Sequence, residues 1–189
     1  MFRERGGMLR ASEAIALGIH PRTLYNLRDS GKLIQISRGL YRLAELEDLS
    51  EPDLAAVASR VPQAVVCLIS ALAFHNITTE IPHEVYIALP RHIKRPRMDY
   101  PPLRIFWFSG KSLTEGIETR NIDGVAVKIY CPEKTVADCF KFRNRVGLDV
   151  AVESLRLCVQ KGASPRTLLR YARICRVEKI MMPYLEAVR

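Results

Sequence analysis

Residues 8–43 read MLRASEAIALGIHPRTLYNLRDSGKLIQISRGLYRL, and their spacing predicts two short helices followed by a two-stranded hairpin. Ser12 is expected to cap a first helix running from Glu13 to about Leu17, its hydroxyl accepting from the orphan N–H groups of the first turn. Gly18 ends that helix, because it tolerates the left-handed conformation of a C-terminal cap. His20-Pro21 opens a second helix with proline at its first position, where the missing donor costs nothing. That helix runs to about Ser30 and is stopped by Gly31. Two helices joined by a short turn containing glycine form a helix-turn-helix.

At 100° per residue, Leu24 and Leu27 share one face of the second helix, with Ile19 close by, and seat it on a small core. Arg22, Tyr25 and Asn26 fall on the opposite face, with Thr23 at its edge. These residue types read base edges or hold phosphates in the major groove. After Gly31 come LIQI, then Ser37-Arg38-Gly39, then LYRL; both runs alternate apolar and polar, so the segment reads as a hairpin. A hairpin directly after a recognition helix is a wing, with Arg38 at its tip against phosphate or minor groove. Arg10, Arg28, Lys32 and Arg42 are expected to clamp phosphates, and Ser12 joins the DNA-contacting set. Cap, turn, helix face and wing all point the same way.

The motifs Gly18-Ile19-x-x-Arg22-Thr23-Leu24, then Gly31-x-Leu33, then Arg38-Gly39-Leu40-Tyr41-Arg42 resemble the N-terminal winged helix-turn-helix of AbiEi-family antitoxins, the antitoxin half of type IV toxin–antitoxin systems. SALAFHNITTEIPHEVYIALP (70–90) is similar to the start of that family's C-terminal domain. CPEKTVADCFKFRNRVGLDVAVESL (131–155) resembles its P-E-[KR]-T-[LV]-A-D helix start and the helix that follows. The resemblance implies a repressor of its own operon, two copies of which read operator inverted repeats in double-stranded DNA. It also implies a C-terminal domain that antagonises a nucleotidyltransferase-like toxin without needing a stable complex with it. One departure is the short N-terminus: either the helix that normally precedes Ser12 is abbreviated to Phe2-Arg3-Glu4-Arg5, or the start of the chain is truncated.

Bulk properties fit this reading. The chain has 189 residues, 48% hydrophobic and 26% charged, enough for one large domain or two small ones with ample core. No apolar run approaches the roughly 18 residues of a membrane span, and no signal peptide is apparent, so a cytoplasmic protein without membrane partners is expected. Cys67, Cys131, Cys139, Cys158 and Cys175 form no C-x-x-C pair and read as buried small hydrophobes in a reducing compartment. The net charge of +9 calls for an anionic partner. Within residues 1–43, eight basic residues against three acidic ones leave +5, the footprint of phosphate binding.

The acidic segment AELEDLSEP (44–52) is read as a linker, dividing the chain into a winged domain at 1–47 and an α+β domain at 48–189. In the second domain a helix is expected over 53–61, VVCL as a short run, and Ser70 as the cap of a helix over 70–77. EVYIALP and LRIFWF read as strands, and TRNI and VAVKIY flank Asp123-Gly124, a strong hairpin signal. Beyond Cys131 the pattern turns helical: Pro132-Glu133 opens one helix, LDVAVESLRLCVQK forms the next, Ser164-Pro165 caps a third, and a last one spans about Val177 to Val188. The expected fold class is α+β: a winged helix-turn-helix followed by a mixed antiparallel sheet packed by helices.

No catalytic residue, metal site or cofactor is expected. His20, His75, His83 and His92 show no metal-ligand spacing; His75 reads as a core or near-surface residue, and His83 and Glu84 point to opposite faces of a strand. A nuclease of the PD-(D/E)xK type would need two carboxylates and a lysine around Mg²⁺. Here Lys128 stands beside Ala126, where the carboxylate should be, and Asp123 lies in a turn. Lys134 and Asp138 stack one turn apart and read as a helix-surface salt bridge of a few tenths of a kcal/mol. A second basic surface is expected from the loop carrying Arg91, His92, Lys94, Arg95 and Arg97, and from the stripe Arg166, Arg170 and Arg173 on one helix. Lys141, Arg143 and Arg145 decorate another helical segment. A stand-alone regulator, whose C-terminal domain serves dimerisation or sensing, is the alternative reading.

Overall fold

The computed structural model describes residues 1–5, 7–45, 51–122 and 124–188. Its contacts divide the chain into two compact units, Met1–Pro62 with Arg120–Val127, and Gln63–Thr119 with Lys128–Arg189. The expected boundary at 47/48 and residues 46–50 of the acidic linker lie outside the described residues.

The first unit begins with a single 3-10 turn, Arg3–Arg5, so residues 3–5 are helical but only for one turn. Strand β1 (Met8–Arg10) leads straight into α1 (Ala11–Ala16), followed by α2 (Pro21–Asp29), β2 (Leu33–Ser37) and β3 (Leu40–Leu43). The strands form an antiparallel sheet of order β1-β3-β2, in which Arg42 of the central strand pairs with both Met8 and Ile34. A bulge between Gln35 and Ser37 bends the wing hairpin. Phe2, Leu9, Ala14, Leu24, Leu33 and Tyr41 make the core, with Ile19 and Leu27 packed against it. Helix α3 (Pro52–Arg60) packs against β2. The first helix starts one residue before Ser12. Its N-cap is Arg10, whose backbone N–H donates to Glu13 Oε2 at 2.9 Å, the reciprocal bond of a capping box, so Ser12 lies within the first turn and does not cap the helix.

The second unit contains β4 (Val65–Val66), α4 (Leu68–Phe74), β5 (Val85–Pro90), β6 (Leu103–Phe108), α5 (Lys111–Thr114), β7 (Ile117–Ile122) and β8 (Val125–Tyr130), the last two reaching into the first unit's residues. Then come α6 (Pro132–Lys141), α7 (Arg143–Val146), α8 (Leu148–Gln160), α9 (Pro165–Cys175) and α10 (Glu178–Ala187). The sheet order is β6-β5-β4-β8-β7; β4 runs antiparallel to β5, whereas β5 with β6 and β4 with β8 are parallel. The fold class is therefore α+β with a mixed sheet, as expected. Asp123 of the hairpin signal lies outside the described residues. Ser70 does not cap α4. It sits buried inside that helix, accepting from the Tyr86 N–H at 2.9 Å and so tying α4 to β5.

Helix α6 is the pillar of this unit, packed by α4, α8, α9 and α10. Val136, Ala137, Cys139 and Phe140 are buried as expected of an inner face, but so are Lys134, Thr135 and Asp138. Lys134 and Asp138 thus do not form the surface bridge read from the sequence: neither side chain is exposed, because they lie on the sides of α6 covered by its neighbours. The Lys134 ammonium also lies 4.1 Å from the Tyr130 ring centroid, a cation–π contact that helps hold the ion away from water. Burial pushes the Asp138 carboxyl above the usual carboxylate range, partly offset by Lys134. All five cysteines are free and buried. No helix among the described residues is long and apolar enough to cross a membrane.

Candidate nucleic-acid interface

Helix α2 is held so that one face is free. Leu24 is buried in the core, while Arg22, Thr23, Tyr25 and Asn26 are exposed, Tyr25 by 50%. The N-terminus of α2 is fixed by His20, whose Nδ1 accepts from the Arg22 N–H at 3.2 Å, a cap the sequence reading did not assign. At the other end Ser30 Oγ donates to the Leu27 carbonyl at 3.1 Å. A short helix pinned at both ends presents its side chains on a defined surface.

Arg28 is half-buried and lies over the Tyr25 ring, 5.3 Å from its centroid. It pairs with Asp29 at 2.7 Å, which raises its pKa and counters its charge on the spot. Lys32 and Arg38 are exposed, Arg38 at the wing turn. Arg10 is half-buried and Ser12 is exposed at the start of α1. Arg42 departs from the expected phosphate clamp. It is only 3% exposed on the central strand, and a side chain that far inside the sheet cannot reach a backbone phosphate.

The second basic surface divides in two. Arg91, His92, Lys94, Arg95 and Arg97 are all exposed in the connection between the parallel strands β5 and β6. On α9, Arg166, Arg170 and Arg173 are exposed as a stripe, but Arg170 pairs with Glu115 at 2.9 Å and Arg173 with Glu178 at 2.8 Å, which weakens its positive potential. Of the other cations, Lys141 reaches Ser112 Oγ at 3.4 Å, Arg143 donates to the Phe140 carbonyl, and Arg145 stacks 4.0 Å from the Phe106 centroid. His75 Nε2 lies 2.8 Å from the Tyr130 carbonyl oxygen, tying α4 to the end of β8, and His83 is exposed. Among the described residues, no group of three or more His, Cys, Asp or Glu could hold a metal ion.

A helix-turn-helix with an exposed Arg-Thr-Tyr-Asn face and a three-stranded wing is the geometry with which the family comparison agrees. Residues 1–44 match the family model of the AbiEi antitoxin transcriptional regulators. The AbiEi match ends at Ala44, one residue beyond the wing strand β3. No curated protein matches the chain. Among solved structures, the chain is similar to the crystal structure of the RV2827C protein from Mycobacterium tuberculosis, with a TM-score of 0.60 at 15% identity over 99% of this chain and 78% of that one. At that identity the likeness is one of fold. The family match covers the helix-turn-helix and its wing and does not extend to the rest of the chain.

Proposed function

We propose that the protein is a DNA-binding repressor of its own operon and an antitoxin that counteracts a nucleotidyltransferase-like toxin. The observation that carries the reading is the α2 face: Arg22, Thr23, Tyr25 and Asn26 stand exposed together on a helix whose opposite side is locked into a core. Arg22 and Asn26, one turn apart, would read base edges in the major groove. Lys32 and Arg38 would hold phosphate on either side, and two copies would occupy operator inverted repeats. The protein acts by binding in the cytoplasm rather than by catalysis. Its second unit, with the exposed cations at 91–97, antagonises the toxin, with direct contact not required.

The test is a gel shift on the DNA upstream of its own gene over a salt series, with the wild type and Arg22→Ala/Asn26→Ala. Salt-sensitive wild-type binding that the double variant loses is the expected result. Binding unchanged by the two substitutions would move the reader to residues 91–97. For the antitoxin role, the neighbouring gene should encode a nucleotidyltransferase whose toxicity the protein suppresses. Suppression that survives Arg22→Ala would separate the two activities; an unrelated neighbour favours a stand-alone regulator.

A further inference from the structure

A cleft of about 230 Å³ opens in the first unit between the start of α1, the wing turn and the end of α3. Three arginines from three separate segments line it, Arg10, Arg38 and Arg60, together with Ser12 and Ser59. Among the described residues, no acidic side chain lines it. The wing turn is fastened there, since the Ala11 N–H donates to the Gly39 carbonyl at 2.8 Å, which holds Arg38 beside the β1–α1 junction. The Arg10 backbone is likewise set by its bond to Glu13. Arg60 arrives from the last turn of α3, a helix beyond the family match and after the acidic segment.

Like charges gathered around one opening repel one another, and an anion that enters relieves the repulsion. Guanidinium forks suit phosphate oxygens, and serine hydroxyls are common phosphate donors. The volume is below the roughly 300–1,000 Å³ of small-molecule sites, which points to a single anionic group rather than a cofactor. We propose that this cleft binds one phosphate of the DNA backbone, with Arg60 as a DNA contact contributed by α3. The proposal rests on the reading of the first unit as DNA-binding. It extends the contact surface past the wing: the helix after the acidic segment grips the duplex with the wing turn and so fixes the register of α2 in the groove.

Arg60 also sits where a cation favours a helix C-terminus, and that role alone would change stability without changing salt dependence. The experiment is fluorescence anisotropy of the full-length protein on a labelled duplex from upstream of its own gene, between about 50 and 200 mM salt. Wild type is compared with Arg60→Gln, Arg60→Lys and Arg22→Ala/Asn26→Ala. Arg60→Gln should flatten the log–log salt slope by ~0.9, so that it loses about threefold less affinity than wild type across that range. Its preference for the cognate duplex over a scrambled one should persist, and Arg60→Lys should recover the slope. A wild-type slope in Arg60→Gln, with only a lowered melting temperature, overturns the phosphate cleft. If at the same time Arg22→Ala/Asn26→Ala abolishes the sequence preference, the repressor reading stands alone. Absence of wild-type binding to any duplex overturns both.

Discussion

Lys134 Nζ and Asp138 Oδ2 meet at 2.5 Å inside the second unit, one turn apart on α6, with neither side chain exposed. The Cys175 thiol donates to the other carboxylate oxygen at 3.2 Å, so both oxygens of Asp138 are engaged. Taking two ions out of water costs several kcal/mol each, and their mutual attraction returns most of this only while both are present.

Asp138→Asn should therefore destabilise the protein by about 3–5 kcal/mol, because it strands a buried ammonium. Lys134→Met/Asp138→Leu should cost less than either single change. Urea denaturation of the wild type, Lys134→Met, Asp138→Leu and the double variant measures the coupling; strictly additive losses would mean that the two ions do not depend on each other.

Burial also governs the thiols. It pushes all five up, Cys158 to about 12. A thiol raised in the folded state stabilises fully below its unfolded value near 9, and that stability is lost as pH climbs toward 12. Melting temperature should accordingly fall steadily above about pH 9. Iodoacetamide at pH 8 should label native protein far more slowly than unfolded protein; rapid native labelling would show an open thiol.

Two glycines with left-handed backbones should respond differently to alanine. At Gly31, φ +72°, an added Cβ meets nothing within 4 Å, so only the backbone penalty of about 1–2 kcal/mol applies. At Gly116, φ +77°, it would meet Lys134 Cβ at 2.8 Å and Tyr171 Cε1 at 3.1 Å. Gly116→Ala should cost roughly 1–3 kcal/mol more, by overpacking against the base of the buried pair. Equal losses in chemical denaturation would contradict the close approach.

Arg38 and Arg42, four residues apart, should separate binding from folding. Arg38→Ala should weaken DNA binding and flatten the salt slope by ~0.9 while shifting stability by less than about 0.5 kcal/mol. Arg42→Ala should lower stability by about 2 kcal/mol or more, since it empties a buried site on the central strand. A stable Arg42→Ala with reduced affinity would restore Arg42 to the contact set.

The winged unit was legible because its elements are punctuated locally. Pro21 at a first helical position, Gly31 after Ser30, and Arg38-Gly39 at the turn each set a boundary within a few residues. The exposed α2 face followed from the helical period alone. What lay beyond reach was non-local. The pairing of β1 with β3 and the parallel contacts of β5 with β6 and β4 with β8 join segments whose sequences carry no register signal. Lys134 and Asp138 look like any surface pair until four helices close around α6. Arg42 read as one more cation because alternation places it opposite Tyr41, and nothing local shows that both faces of β3 are covered. Arg60 was passed over because it lies beyond the acidic segment read as a linker; only the cleft brings it to Arg10 and Arg38.

The spacing of the buried ions on a single helix bears on the order of folding. Each ion finds its counterpart within one turn of its own helix, so the contact closes without any long loop search. When α6 forms, the two charges already neutralise each other, and the later docking of α4, α8, α9 and α10 buries a dipole rather than two separate ions. A pair drawn from distant segments would have to desolvate each ion before meeting its mate. Pairing within one turn lets the two ions enter the core together, so neither has to be buried alone.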